Sequence, residues 1–151
     1  MHCIRWLLLA AILGSPATLW AQFSNGYLVG GIGSRDEKLT SQAAVGGEWV
    51  FSRSLGVGGE LGAIFGHTSF AVFSLNGYYH FPVSGGEVVD PFATAGYTRA
   101  TNLLDGANVF NGGAGLHYWF YRRLGVRAEF RDFTSSGLGH FWGFRVGFSF
   151  H

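Results

Sequence analysis

Two sets of residues in this chain could do chemistry by their type and spacing. The first is His67-Thr68-Ser69. An i, i+2 spacing on a β-strand puts both side chains on one face. His67 could then serve as general base for a Ser69 nucleophile, provided a third group oriented the imidazole. No acidic residue stands at a persuasive spacing, since Glu87 is 18 positions beyond Ser69. A motif this small recurs by chance, so the plainer reading, a short polar turn between two strands, is preferred. The second set is His80 and His117, two imidazoles that could share a metal ion. No third ligand stands at a recognisable spacing, so hydrogen bonding among neighbouring charges is expected instead, with no metal and no other cofactor. The stretch Gly112-Gly113-Ala114-Gly115 is glycine-rich but has no helix after it, and a phosphate cradle needs one.

The elements that must position these residues are strands. Apolar residues recur at every second position, which is the strand signature. In residues 41–51, Ala43, Val45, Trp49 and Phe51 alternate with Gln42, Ala44 and Glu48. In residues 55–65, Leu55, Val57, Leu61 and Phe65 oppose Glu60, and in residues 70–81, Phe73, Leu75, Tyr79 and Phe81 oppose Ser74, Asn76, Tyr78 and His80. The same alternation runs through residues 110–120, 124–132 and 142–150. Residues 25–33 and 90–98 also read as strands but leave their register open, the latter exposing either Ala93, Ala95 and Tyr97 or the opposite set. Eight strands, an even number, can close as an antiparallel up-and-down barrel. Residues 52–54 and 121–123 read as tight turns, whereas 34–39, 99–107 and 134–140 read as longer polar loops. Residues 82–89 break that trend, as a long connection where a tight turn is expected. Short turns at one end and longer loops at the other are how outer-membrane barrels are built.

The N-terminus reads as an address. Arg5 precedes the apolar run Trp6-Leu7-Leu8-Leu9-Ala10-Ala11-Ile12-Leu13, and Gly14, Ser15 and Pro16 end it. That is the layout of a secretory signal peptide over residues 1–21, cleaved after Ala21 or alternatively after Ala17. The barrel domain then occupies residues 22–151. The single cysteine, Cys3, lies ahead of the apolar run, so neither a lipid-anchored cysteine nor a disulfide is expected in the mature chain. The whole chain carries 10 Lys and Arg against 9 Asp and Glu, and setting Arg5 aside with the leader leaves 9 against 9. That balance offers nucleic acid no basic surface. Outside the leader there is no apolar run long enough for a transmembrane helix.

Three features turn the apolar face of the barrel outward. First, alternate strands end in aromatic pairs on the apolar face: Trp49 and Phe51, Tyr79 and Phe81, Tyr118 and Phe120, Phe148 and Phe150. All four pairs fall at one rim of an up-and-down barrel, as an interfacial girdle would. Second, the polar face carries Glu48, Glu60 and Glu129 against Arg127, Arg131 and Arg145. The interior of an eight-stranded barrel is just wide enough for side chains to fill it, and buried charges must pair. Third, glycine is dense within the strands, which leaves room for bulky interior neighbours. A soluble, lipocalin-like barrel with its apolar face inward is the alternative.

Taken together, the stretches Pro91-Phe92-Ala93-Thr94-Ala95-Gly96-Tyr97, Phe110 with the residues up to Trp119, and 124–132 resemble the small eight-stranded outer-membrane β-barrel proteins. That group includes the OmpA-type membrane domain, OmpX and the opacity-like surface proteins. The alternating Phe144, Val146, Phe148 and Phe150 resemble the family's C-terminal assembly signal, although His151 follows the final aromatic. The resemblance implies a monomer in the bacterial outer membrane whose partners are outer-membrane lipid and the barrel insertion machinery. It implies a structural or surface-interaction role without catalysis. Some barrels of this size modify lipid A, and those resembling the lipid A deacylases use a His-x-Ser pair. His67 and Ser69 supply that pair, but Phe70 stands where the family usually has Asn. A lipid A-modifying hydrolase is therefore the alternative reading.

Overall fold

The computed structural model describes residues 24–35, 37–83, 88–102, 106–135 and 139–151. The expected signal peptide, residues 1–21, lies outside the described residues. The described elements are eight strands: β1 (Ser24–Arg35), β2 (Lys38–Val50), β3 (Leu55–Phe65), β4 (Phe70–His80), β5 (Val89–Thr101), β6 (Gly106–Tyr121), β7 (Leu124–Ser135) and β8 (Gly139–Phe150). Each pairs antiparallel with its sequence neighbours, and β1 pairs with β8 to close the barrel. Closure leaves no strand edge with unpaired backbone groups. We call the end carrying residues 51–54 and 122–123 the lower rim and the opposite end the upper rim.

The strands alternate as their sequences do, and the sense of the alternation is settled. Leu28, Ile32, Val45, Leu61, Phe73, Leu75, Phe130, Phe144 and Phe148 point outward and are 46–59% exposed. Glu48, Glu60, Arg127, Glu129, Arg131 and Arg145 point inward, and none is more than 3% exposed. A lipocalin-like arrangement would reverse these two sets. β1 places Asn25, Tyr27 and Val29 inside, and β5 places Phe92, Thr94 and Thr98 inside with Ala95 and Tyr97 outside.

The upper connections differ from the sequence expectation. The described residues of 34–39, 99–107 and 134–140 are mostly strand. The ladder continues to Arg35↔Lys38, Thr101↔Gly106 and Ser135↔Gly139. Backbone polar groups near a rim gain a partner by extending the ladder, and polar composition alone does not prevent it. Glu37 makes the tightest of these connections possible with a left-handed φ of 65°. The strand ends set furthest apart in sequence, His80 of β4 and Val89 of β5, lie at the lower rim.

The lumen divides by polarity. Near the upper rim Val72, Ala100, Val109, Phe133 and Phe141 form a buried apolar cluster, with Ile64 packed against it. Below it Ser74, Thr98, Asn76 and Asn111 form a hydrogen-bonded layer. The charges fill the lower half. Gly46 is one reason this fits: a Cβ there would collide with the Tyr27 ring. Gly115 likewise makes way for Phe92, whose ring a Cβ would overlap.

Candidate functional site: a buried charge network and the lower mouth

The six luminal charges form one network. Arg145 on β8 reaches across the barrel to Glu60 on β3, with Nη1 to Oε1 at 2.7 Å and Nη2 to Oε2 at 2.9 Å. This is the bidentate fork that a guanidinium and a carboxylate favour. Arg145 Nη2 also donates to Glu129 Oε2 at 3.0 Å. Arg131 joins the same two carboxylates, donating to Glu129 Oε1 at 2.6 Å and to Glu60 Oε1 at 3.2 Å. Arg127 donates to Glu129 Oε2 at 3.0 Å. Its guanidinium lies between the rings of Tyr27 and Phe92, 4.2 Å from each centroid. Sequence pattern indicates these residues by face and charge balance, but it cannot specify who pairs with whom, because the partners are up to 85 positions apart.

Glu48 departs from that core. Its closest cation in the core, Arg127, is 3.9 Å away. Glu48 instead bonds His80 Nε2 at 2.5 Å. The other His80 nitrogen, Nδ1, bonds Asp90 at 2.8 Å. Asp90 Oδ2 is also 3.3 Å from His117 Nδ1, and His117 Nε2 meets Arg127 Nη1 at 2.9 Å. The network therefore runs from the barrel centre to the lower mouth. Asp90 is the residue sequence reading misses. It is the second residue of a strand whose register is ambiguous in sequence, so its inward direction is not visible there. The pairing of β5 with β6 sets it opposite His117.

Below these groups the lumen opens into a bowl of about 1010 Å³, lined by residues that include Asn25, His80, Asp90, Trp119, Arg122 and His151. His151 continues past β8 and folds its ring onto Trp119, with centroids 4.3 Å apart. Its Nδ1 also lies 3.2 Å from the carbonyl oxygen of Ser24.

His67 and Ser69 lie elsewhere, in the exposed turn between β3 and β4 at the upper rim. Neither is in a strand, so the spacing does not place them on a common face. No hydrogen bond joins them among the described residues. The eight paired aromatics, Trp49, Phe51, Tyr79, Phe81, Tyr118, Phe120, Phe148 and Phe150, point outward at the lower rim and are 42–56% exposed. Two pairs meet edge to face, Trp49 with Phe51 at 6.4 Å and Tyr79 with Phe81 at 5.0 Å. Phe144, Val146, Phe148 and Phe150 share the outer face of β8.

An apolar exterior around a charged, filled lumen can be compared with solved structures. No family model matches the chain, and no curated protein matches it. The N-terminal β-barrel domain of Pseudomonas aeruginosa OprF superposes with a TM-score of 0.61 at 20% identity, covering 85% of this chain and 97% of that one. The chain has the fold of the small outer-membrane β-barrels. Neisserial surface protein A (NspA) superposes with a TM-score of 0.64 at 10% identity, over 84% of this chain and 94% of that one. The outer membrane enzyme PagL superposes with a TM-score of 0.51 at 15% identity, over 83% of this chain and 98% of that one. One architecture thus accommodates an enzyme as well as other proteins, and function has to be argued from the residues.

Proposed function

We propose that this protein is an integral protein of the bacterial outer membrane, with a structural or surface-interaction role and no catalysis. One observation carries the reading: each of the eight strands turns large apolar side chains outward, while Glu48, Glu60, Arg127, Glu129, Arg131 and Arg145 face in. In water that exterior would be a large exposed apolar patch, whereas in lipid it is the stable arrangement. The eight lower-rim aromatics act as an interfacial girdle. The outer face of β8, Phe144, Val146, Phe148 and Phe150, is the segment offered to the insertion machinery. The chain works as a monomer, since a closed barrel leaves no strand to share. The packed apolar layer above the charges supports a lumen that does not conduct. Outer-membrane fractionation followed by detergent gels tests this reading. The expected result is a band in the outer-membrane fraction that changes mobility on heating. Recovery from the soluble periplasm would refute it.

The similarity to PagL favours a second reading, a lipid A-modifying hydrolase using His67 and Ser69. Their exposed turn, with no hydrogen bond between them, speaks against it. Lipid A mass profiles of cells with and without the protein separate the two, and a profile that changes with the protein and reverts with Ser69→Ala establishes the hydrolase.

A further inference from the structure

The lower end of the charge network brings two imidazoles and a carboxylate together beside the bowl. His80 ends β4, Asp90 is the second residue of β5 and His117 lies toward the end of β6. Strand pairing brings them together, because Asp90 is opposite His117 and His80 is opposite Phe92, two residues along from Asp90. One ligand atom from each lies within 4.8 Å of the others. Asp90 Oδ2 is 2.8 Å from His80 Nδ1 and 3.3 Å from His117 Nδ1. Donors held about 2.0–2.1 Å from one tetrahedral Zn²⁺ stand about 3.3 Å from each other, so both Asp90 contacts are already near that spacing, and the two imidazole nitrogens, within 4.8 Å, need only close toward it.

We propose that His80, Asp90 and His117 form a binding site for one divalent transition-metal ion of the Zn²⁺ class. The donor set selects that class, since two imidazoles and one carboxylate suit Zn²⁺ and its neighbours, whereas Mg²⁺ and Ca²⁺ prefer oxygen alone. The surroundings suit it as well. Glu48 stands behind His80 at Nε2, the arrangement by which a carboxylate orients a metal-bound imidazole. The two rings are buried, while the Asp90 side chain is 29% exposed and lines the bowl. An ion can enter from there, and the bowl leaves room for water in a fourth position.

The proton balance is definite. Both nitrogens of His80 face carboxylates, so both carry protons in the metal-free barrel. Arg127 has only donors to offer, so His117 Nε2 accepts from it and the ring proton sits on Nδ1, toward Asp90. A divalent ion bound to both Nδ1 atoms displaces those two protons, and the total charge of the lumen is unchanged. His117 then binds as an imidazolate whose Nε2 remains held by the Arg127 guanidinium. The bound ion joins β4, β5 and β6 at the lower rim.

The test uses the full mature chain folded in detergent micelles and stripped with a chelator. Zn²⁺ is titrated by calorimetry in buffers of different ionisation enthalpy. One Zn²⁺ per barrel, with close to two protons released, is expected. Asp90→Asn and His117→Gln, each checked for the heat-dependent gel shift of a folded barrel, should weaken binding by at least about 100-fold, the upper range for losing even an indirect supporting group. A His67→Ala, His140→Ala double variant should bind as the parent does. Co²⁺ added to the unsubstituted barrel gives a reading that no variant's folding can confound. Intense visible bands of a four-coordinate site are expected. The pale spectrum of hydrated Co²⁺, no Zn²⁺ uptake, or uptake that survives Asp90→Asn and disappears with His67 and His140 would each overturn the proposal.

Discussion

Replacing Glu60 by Gln keeps the shape of the side chain and removes the charge on which two arginines converge. Glu60 accepts from Arg145 at 2.7 and 2.9 Å, from Arg131 at 3.2 Å and from the Tyr27 hydroxyl at 3.0 Å. Removing one partner of a buried ion pair costs about 3–5 kcal/mol, because the other charge stays buried. The lower end applies here: both arginines still reach Glu129, and the amide oxygen of Gln still accepts. A loss of about 3 kcal/mol, a little over 100-fold in the unfolding equilibrium, is expected. The assay is urea unfolding in lipid vesicles, followed by tryptophan fluorescence and by the heat-dependent gel shift. The double variant Glu60→Leu, Arg145→Leu sharpens it. That change removes one charge of each sign and leaves the lumen balanced, so it should be less destabilising than the sum of the two single changes by about 2 kcal/mol. Additive losses, or a Glu60→Gln cost under about 1 kcal/mol, would refute the view of the lumen as one coupled network.

Other perturbations probe the exterior, the packing and the stacking. Leu61 is 59% exposed on the outer face of β3, so Leu61→Arg should cost about 2–4 kcal/mol in vesicles if that face meets lipid near the bilayer centre; the same urea titration reads it. A Cβ on Gly147 would strike the Leu28 carbonyl of β1, whereas one on Gly112 meets only a carbonyl oxygen at 3.9 Å. Gly147→Ala should therefore destabilise by about 1–3 kcal/mol, and Gly112→Ala should stay within about 0.5 kcal/mol. Phe92→Leu removes one of the three rings around Arg127 and should cost about 2 kcal/mol from cation–π loss in a dry site, measured by thermal unfolding in detergent.

Alternation made most of the barrel legible in sequence. Where one face is uniformly apolar, as in β4, a shift of one residue would exchange every side chain between lipid and lumen, so the register is pinned. β1 and β5 resisted because small and apolar residues occupy both of their faces. Their registers come from neighbours, and with them came Tyr27, Phe92 and Asp90, which complete the network. The polar stretches at the upper rim mislead for a related reason. Polar residues at 99–107 and 134–140 suggest solvent, but a strand that rises beyond the apolar band is polar too. His67 and Ser69 show the limit of spacing arguments: i, i+2 has a geometric meaning only inside a strand, and the turn between β3 and β4 removes it.

Arg145 also bears on the order in which the barrel is made. It is the one luminal cation on β8, and its partners Glu60 and Glu129 lie on β3 and β7. Without β8, Arg127, Arg131 and the doubly protonated His80 face Glu48, Glu60, Glu129 and Asp90, so the unfinished lumen carries one more negative than positive charge. The last strand thus brings both the neutralising cation on its inner face and the aromatic series on its outer face. Chain closure and charge neutralisation become a single event, and a barrel stalled one strand short is marked by its own interior.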